Sequence, residues 1–190
     1  MDNLNDQQLI TLYLEGNVNA FEGIINKYSQ ILYRYAFKLT NSKDLAHDIV
    51  QETFIKIWKN IKKFDLDRNF KTWIYTIANR TTIDYLRKTK SINFSELDNE
   101  ELKFDESIPD DELLPDEIFE KAENIKLIQQ SLLQLSLENR TILLLHHGEE
   151  MTFEEISTIT DKPMNTVKSQ YRRSLIKLRN IILKSNAPKQ

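Results

Sequence analysis

The chain has 190 residues, 26 Lys and Arg against 29 Asp and Glu, a formal net charge of −3, 40% hydrophobic residues and no cysteine. Without cysteine there is no disulfide framework, thiol redox chemistry or cysteine-ligated zinc, and no apolar run approaches the roughly 18 residues that would cross a bilayer as a helix. The opening Met1-Asp2-Asn3-Leu4-Asn5-Asp6 has neither the basic start nor the apolar stretch of an export signal, so a cytoplasmic location with no membrane insertion is expected.

The near-neutral total conceals a sorting of charge. Gln51 to Lys90 holds ten basic residues against four acidic ones, and Lys162 to the end holds eight basic residues and no acid. Ser91 to Glu123 reverses this, with thirteen Asp or Glu against Lys103 and Lys121. Two separated basic blocks suit a protein that grips one long polyanion at two places. Three Gly and four Pro leave little turn chemistry for hairpins, while apolar residues recur at spacings of three and four. The expected fold is all-α: two small helical domains joined by a flexible acidic linker.

In chain order, Asp6 is placed to cap a short helix through Glu15. Asn17 is placed to cap a long one whose stripe includes Phe21, Ile24, Tyr28, Ile31, Leu32, Tyr35 and Leu39. Ser42 starts a third helix to about Lys62, with Leu45, Ile49, Phe54, Ile57, Trp58 and Ile61 inward and Asp44, Asp48, Gln51, Glu52 and Lys56 outward. Asp65 to Asn69 reads as a tight loop. Phe70 to Lys88 then carries Trp73, Ile74, Ile77, Ala78, Tyr85 and Leu86 at helical spacing. Residues 1–90 are therefore expected to form a four-helix domain, and 91–115, acidic and containing Pro109 and Pro115, an extended linker.

Residues 116–190 are expected to form the second domain, with helices from about Asp116 to Gln134 and from Leu137 to His147. Thr152-Phe153-Glu154-Glu155 is a capping box that starts the next helix, and Pro163 stops it near Asp161. A last helix from about Asn165 or Thr166 to Lys184 presents Val167, Leu175 and Leu178 to the core. This is the spacing of a helix-turn-helix, whose second helix enters the major groove. Lys168, Ser169, Arg172 and Arg173, at offsets of zero, one, four and five, share one face of it and supply donors for phosphates and guanine edges; Thr166 lies a half-turn before them. His146 and His147 are adjacent and so point to different faces, which does not suit a two-histidine metal site, and no phosphate-binding glycine loop is present. No cofactor is expected, and no catalytic activity.

Asp44-Leu45-Ala46-His47-Asp48-Ile49-Val50-Gln51-Glu52-Thr53-Phe54-Ile55-Lys56-Ile57-Trp58 resembles the polymerase-binding helix of bacterial RNA polymerase sigma factors. Phe70-Lys71-Thr72-Trp73-Ile74-Tyr75-Thr76-Ile77-Ala78 and Asp84-Tyr85-Leu86-Arg87-Lys88 resemble the next helix of the extracytoplasmic-function group of the sigma-70 family. Thr152 to Ile156 with Pro163 to Ser169 resembles its C-terminal helix-turn-helix. The resemblance covers nearly the whole chain in the right order. It implies that residues 1–90 bind the polymerase core and recognise the minus-ten promoter element, and that residues 116–190 recognise the minus-thirty-five element.

On that reading the partly acidic stripe Asp48, Gln51, Glu52 and Lys56 meets a coiled coil of the largest polymerase subunits. Strand opening needs stacking surfaces, a pocket for an unstacked base and a cationic track. The residues clustered where the family performs this step are Phe64, Asp67, Arg68, Asn69, Asn79, Arg80, Arg87 and Lys88, whereas Phe70 and Trp73 match the buried stripe. The family commonly reads Ile-Ala-Arg-Asn where this chain has Ile77-Ala78-Asn79-Arg80, which leaves both Asn79 and Arg80 as candidates for the pocket. Asp161 and Asn165 replace glycines frequent in the family, and both residue types tolerate left-handed or capping geometry. The acidic linker is either a solubilising spacer or, as in the family, a segment threading the polymerase channel. The expected partners are RNA polymerase core and promoter DNA, duplex and opened, with an anti-sigma protein suggested by many relatives. The alternatives are a stand-alone dimeric helix-turn-helix regulator and a helical adaptor that sequesters a basic partner.

Overall fold

The computed structural model describes residues 4–93 and 127–185. Helices α1 (Asp6–Leu14), α2 (Asn19–Thr40), α3 (Lys43–Asn60) and α4 (Phe70–Asn93) form the first region. The second holds α5 (helical over residues 127–133), α6 (Leu137–Leu143), α7 (Phe153–Thr160) and α8 (Met164–Ser185). Among the described residues there is no strand, and no helix is long and apolar enough to cross a membrane. The predicted linker beyond Asn93, and most of the helix expected from Asp116, lie outside the described residues.

Helix ends follow side-chain chemistry, with two corrections. Asn5, not Asp6, caps α1: its side chain accepts from the Gln8 N–H while the Gln8 side chain accepts from the Asn5 N–H. A carboxamide one residue earlier completes a reciprocal box that Asp6 cannot, and Asp6 instead accepts from Lys27 at 2.6 Å and Tyr28 at 2.7 Å. Asn17 does not cap α2 with its side chain; only its carbonyl receives the Ala20 N–H, and α2 starts behind Val18 without a side-chain cap. The turn there relies on Gly16 at φ +102, which other residues rarely adopt. Asn41 ends α2 in the left-handed conformation, and Ser42 caps α3 as expected. The two-residue link makes α2 and α3 antiparallel neighbours. At the far end of α3 a 3-10 turn, Ile61–Lys63, leads into the loop. There the Asp65 side chain accepts from the Asp67 N–H and Asn69 Oδ1 caps α4 through the Thr72 N–H at 3.0 Å.

Ile24, Leu32 and Tyr35 of α2, Ile57 of α3 and Ile74 and Ala78 of α4 are buried in one continuous core with Ile142 of α6, Ile156 and Ile159 of α7 and Val167 of α8. Each half does not, then, bury a core of its own; α4 packs on α7 and α2 touches α6. Arg140 ties the halves further. Its guanidinium donates to the carbonyls of Leu132, Leu133 and Leu135, and across the seam to that of Leu39 at the end of α2. Two residues expected inward are exposed: Trp58 (56%) and Leu175 (36%). Ile57 of α3 and Ile61 of the 3-10 turn after it already fill the core on that side, and on α8 the fully buried positions are Val167 and Ser174, the Ser174 hydroxyl being satisfied by the Gln170 carbonyl at 2.7 Å.

Candidate nucleic-acid interface

The C-terminal pair is built as a helix-turn-helix. Thr152 and Glu155 form the predicted capping box at the start of α7, the Thr hydroxyl accepting from the Glu155 N–H at 3.2 Å and the carboxylate accepting from the Thr152 N–H at 2.9 Å. Burial pushes the Glu155 carboxyl up, but hydrogen bonds from Thr152 and Thr72 and the charge of Lys71 outweigh it and hold it below the usual range. Asp161 takes the left-handed conformation (φ 55) that ends α7, as its residue type allows. The Pro163 carbonyl then accepts the N–H groups of Thr166 and Val167, which launches α8 at Met164. Lys162 in the turn reaches back to Glu138 of α6 at 2.6 Å. Behind α8, His146 stacks on Phe153 with ring centroids 4.6 Å apart and gives Nδ1 to the Met151 carbonyl, while His147 Nε2 lies 2.9 Å from the Tyr171 hydroxyl. The two histidines thus serve as packing behind the recognition helix.

Val167 and Ser174 face the core, so Lys168, Ser169, Arg172 and Arg173 are all exposed on the opposite side, with Thr166 half-buried at its edge. Arg173 donates to the Ser169 carbonyl at 3.2 Å and to its hydroxyl at 3.3 Å, and Ser169 donates to the Thr166 carbonyl at 2.9 Å. The guanidinium is thereby held in a defined position before any ligand arrives, which lowers the ordering cost of a groove contact.

The first region presents a second basic face. Arg80, Arg87 and Lys88 on α4 are exposed, and the spacing of seven puts Arg80 and Arg87 on one stripe; Arg87 also donates to Asp84 at 3.1 Å. Asp67, Arg68 and Asn69 are exposed in the loop, with Arg68 3.5 Å from Asp65. Two of the sequence candidates stand elsewhere. Phe64 is buried, its ring against Phe70 and Trp73 at 5.1 and 4.9 Å, because the 3-10 turn rolls it inward. Asn79 is 4% exposed, accepting from the Tyr35 hydroxyl at 3.4 Å and donating to the Ile159 carbonyl at 3.5 Å, whereas its neighbour Arg80 is free to solvent.

On α3, Asp48 and Gln51 are exposed, while Glu52 and Lys56 are half-buried on the flank toward α4, where Lys56 donates to Thr81 at 3.1 Å. The exposed stripe continues instead through Ile55 and Trp58. These two apolar residues were not among the sequence candidates, although Ile55 lies seven residues after Asp48 and Trp58 seven after Gln51, the spacing that returns to the same face.

Residues 24–92 match Sigma-70 region 2 and residues 125–178 match Sigma-70, region 4. Over 168 residues, 87% of this chain and 90% of the relative, it is 33% identical to the ECF RNA polymerase sigma factor SigW of Bacillus subtilis (strain 168). The chain belongs to the extracytoplasmic-function sigma factors. RNA polymerase sigma factor SigV of the same organism is 32% identical over 151 residues, covering 80% of this chain and 84% of the relative. In three dimensions the sigma factor resembles RpoE from Bartonella quintana, solved in complex with the anti-sigma factor NepR, with a TM-score of 0.71 at 22% identity over 89% of this chain and 99% of that one. It also resembles CnrH, solved with the cytosolic domain of CnrY, with a TM-score of 0.69 at 19% identity over 96% and 99%. At those identities the likeness is one of fold. As a sigma factor, the protein directs RNA polymerase core to promoter DNA in transcription initiation, and a stand-alone dimeric regulator is not favoured.

Proposed function

We propose that promoter selection is divided between the two regions. Residues 1–90 bind the polymerase core and read the minus-ten element, residues 91–115 connect the halves, and residues 116–190 read the minus-thirty-five element. The observation that carries this reading is the pair of exposed basic faces, Lys168, Ser169, Arg172 and Arg173 on α8 and Arg80, Arg87 and Lys88 on α4, in a chain matching sigma-70 regions 2 and 4 in order. Arg172 and Arg173 are the groove-reading side chains, with Lys168, Ser169 and Thr166 positioning α8 on the backbone. Arg80, Arg87 and Lys88 form the cationic track for the opened strand, and Asp67, Arg68, Asn69 and Asn79 supply contacts to its bases; Phe64 supports the loop from the core. Asp48 and Gln51, with Glu52 and Lys56 beside them, are the polar part of the polymerase-binding face.

The sigma factor acts in the cytoplasm and contributes binding rather than catalysis, with no cofactor. An anti-sigma protein is a further expected partner, in keeping with the two solved relatives, each of which is held by another polypeptide. The test is run-off transcription with purified core polymerase on genomic fragments. Defined transcripts should appear only when the chain is added, Arg172→Ala should shift preference at the upstream element, and Asn69→Ala at the downstream one. Identical transcripts with and without the chain would overturn the assignment.

A further inference from the structure

No residue from Lys162 to the end of the chain is acidic, yet the fold brings a carboxylate to the flank of α8. Glu138, in the first turn of α6, accepts from Lys162 Nζ at 2.6 Å and from Gln170 Nε2 at 3.3 Å, while Gln170 Oε1 accepts from the same ammonium at 3.4 Å. The three side chains close a ring that joins α6, the turn before α8 and α8 itself. The hydrogen bond from Lys162, the strongest influence, outweighs burial and holds the Glu138 carboxyl below its usual range, so the pair stays charged. The Lys162 backbone is fixed as well. Its N–H donates to the Ser157 carbonyl at 3.1 Å, and its carbonyl accepts from the Ser157 hydroxyl at 2.5 Å. The side chain of Lys162 is 24% exposed and that of Glu138 63%, so the ammonium is covered and the carboxylate faces water.

A largely solvated ion pair of this kind adds little to stability. Its position gives it another use. Lys162 stands two residues before Met164, at the end of α8 that leads into the groove and beside the path of the DNA backbone. Gln170 lies on one stripe of that helix with Thr166 and Arg173, at spacings of four and three. A lysine so placed could neutralise a phosphate, but here its charge is already matched and two of its three donors are spent.

We propose that Glu138 withholds Lys162 from the phosphate backbone and so sets the strength of the upstream contact without setting its sequence preference. A phosphate that took Lys162 would displace the carboxylate and leave it, unneutralised, beside a second anion. The grip of α8 is therefore one phosphate contact weaker than its count of basic residues implies. A weaker grip is released sooner, which suits a contact that has to be given up after initiation. The inference rests on reading α8 as the helix that enters the groove at the minus-thirty-five element.

The test compares holoenzymes assembled from core polymerase and full-length variants, on a duplex carrying the mapped upstream element and on the same duplex scrambled there, between about 50 and 200 mM salt. Glu138→Ala should tighten binding to both about three- to tenfold at about 0.1 M salt and steepen the dependence of log affinity on log salt by about one, with the ratio between the duplexes unchanged. Lys162→Ala should leave the slope as it is in the native chain and cancel the steepening in the Glu138→Ala chain. The proposal is overturned by an unchanged slope in Glu138→Ala or by a gain that survives Lys162→Ala. A slope lowered by about one in Lys162→Ala alone also overturns it, because the ammonium would then already sit on a phosphate. Failure of the underlying reading looks different: if Arg172→Ala leaves the upstream preference intact, α8 does not read the element and the proposal falls with it. If Arg172→Ala shifts the preference while Glu138→Ala changes nothing, only the withholding is wrong.

Discussion

Tyr75 of α4 donates its hydroxyl to the carboxylate of Glu149, across the seam between the two regions. Burial first, then the hydrogen bond to Glu149 and its charge, hold this phenol well above its ordinary value of 10.0. Burial does the same to Tyr28 and Tyr35. In the unfolded chain these groups ionise near pH 10, while in the folded one they keep their protons. The unfolded state therefore binds fewer protons above that pH, and stability is lost as pH rises. Urea midpoints should be level from pH 7 to 9 and fall beyond about 10, each retained phenol contributing up to about 1.4 kcal/mol per pH unit. Tyr75→Phe should flatten that fall; equal slopes in both proteins would show that the phenol titrates freely.

Arg140 satisfies carbonyls at the end of α5, in the link between α5 and α6 and at the end of α2. Replacing it by Ala strands several buried acceptors, and the expected loss is about 3 to 5 kcal/mol in chemical denaturation. Lys at this position keeps the charge but not the fork, so it should recover less than half of that.

Trp58 is exposed on α3 with Ile55 beside it. Because little packing is lost, Trp58→Ala should change folding stability by no more than about 0.5 kcal/mol. If the stripe meets polymerase, the same change should weaken core binding by about 2 kcal/mol, roughly thirtyfold in a competition titration. Normal affinity together with normal stability would make the ring an idle surface feature.

On α8, Arg172→Ala and Arg173→Ala should each cost about 1 to 3 kcal/mol at the upstream element if they contact base edges, and relax preference at one position. Lys168→Ala should weaken all sequences alike and lower the salt slope by about one. Since Arg173 is held by the Ser169 hydroxyl and carbonyl, Ser169→Ala should reproduce part of the Arg173 defect in quantitative footprinting.

Legibility in the sequence tracked the range of the interaction. The Thr152–Glu155 box, the Ser42 cap and the stop at Asp161 depend on residues within four of one another, and periodicity located α2, α3, α4 and α8. Caps competing one residue apart were harder: Asn5 outranks Asp6 because Gln8 can answer it, and Asp6 is drawn to Lys27 and Tyr28 from another helix. Size and apolar character point Trp58 and Leu175 inward, yet among the described residues nothing covers them and both are exposed. What no spacing rule could reveal was the seam, since the Asn79 amide and the Ile159 carbonyl it meets are eighty residues apart. Nor could the pattern decide between Asn79 and Arg80; only the packing of α7 on α4 puts one inside and leaves the other in water.

The buried Asn79 carboxamide in that join has a further effect. Sliding α7 by one turn along α4 would leave the amide stranded among aliphatic carbons, a misalignment worth roughly 1 to 3 kcal/mol, so the two halves have a single address on each other. Once they part, water satisfies the same amide at once and the penalty vanishes. A contact of this kind dictates alignment more than strength: it tolerates one fit between the two regions and penalises every neighbouring one.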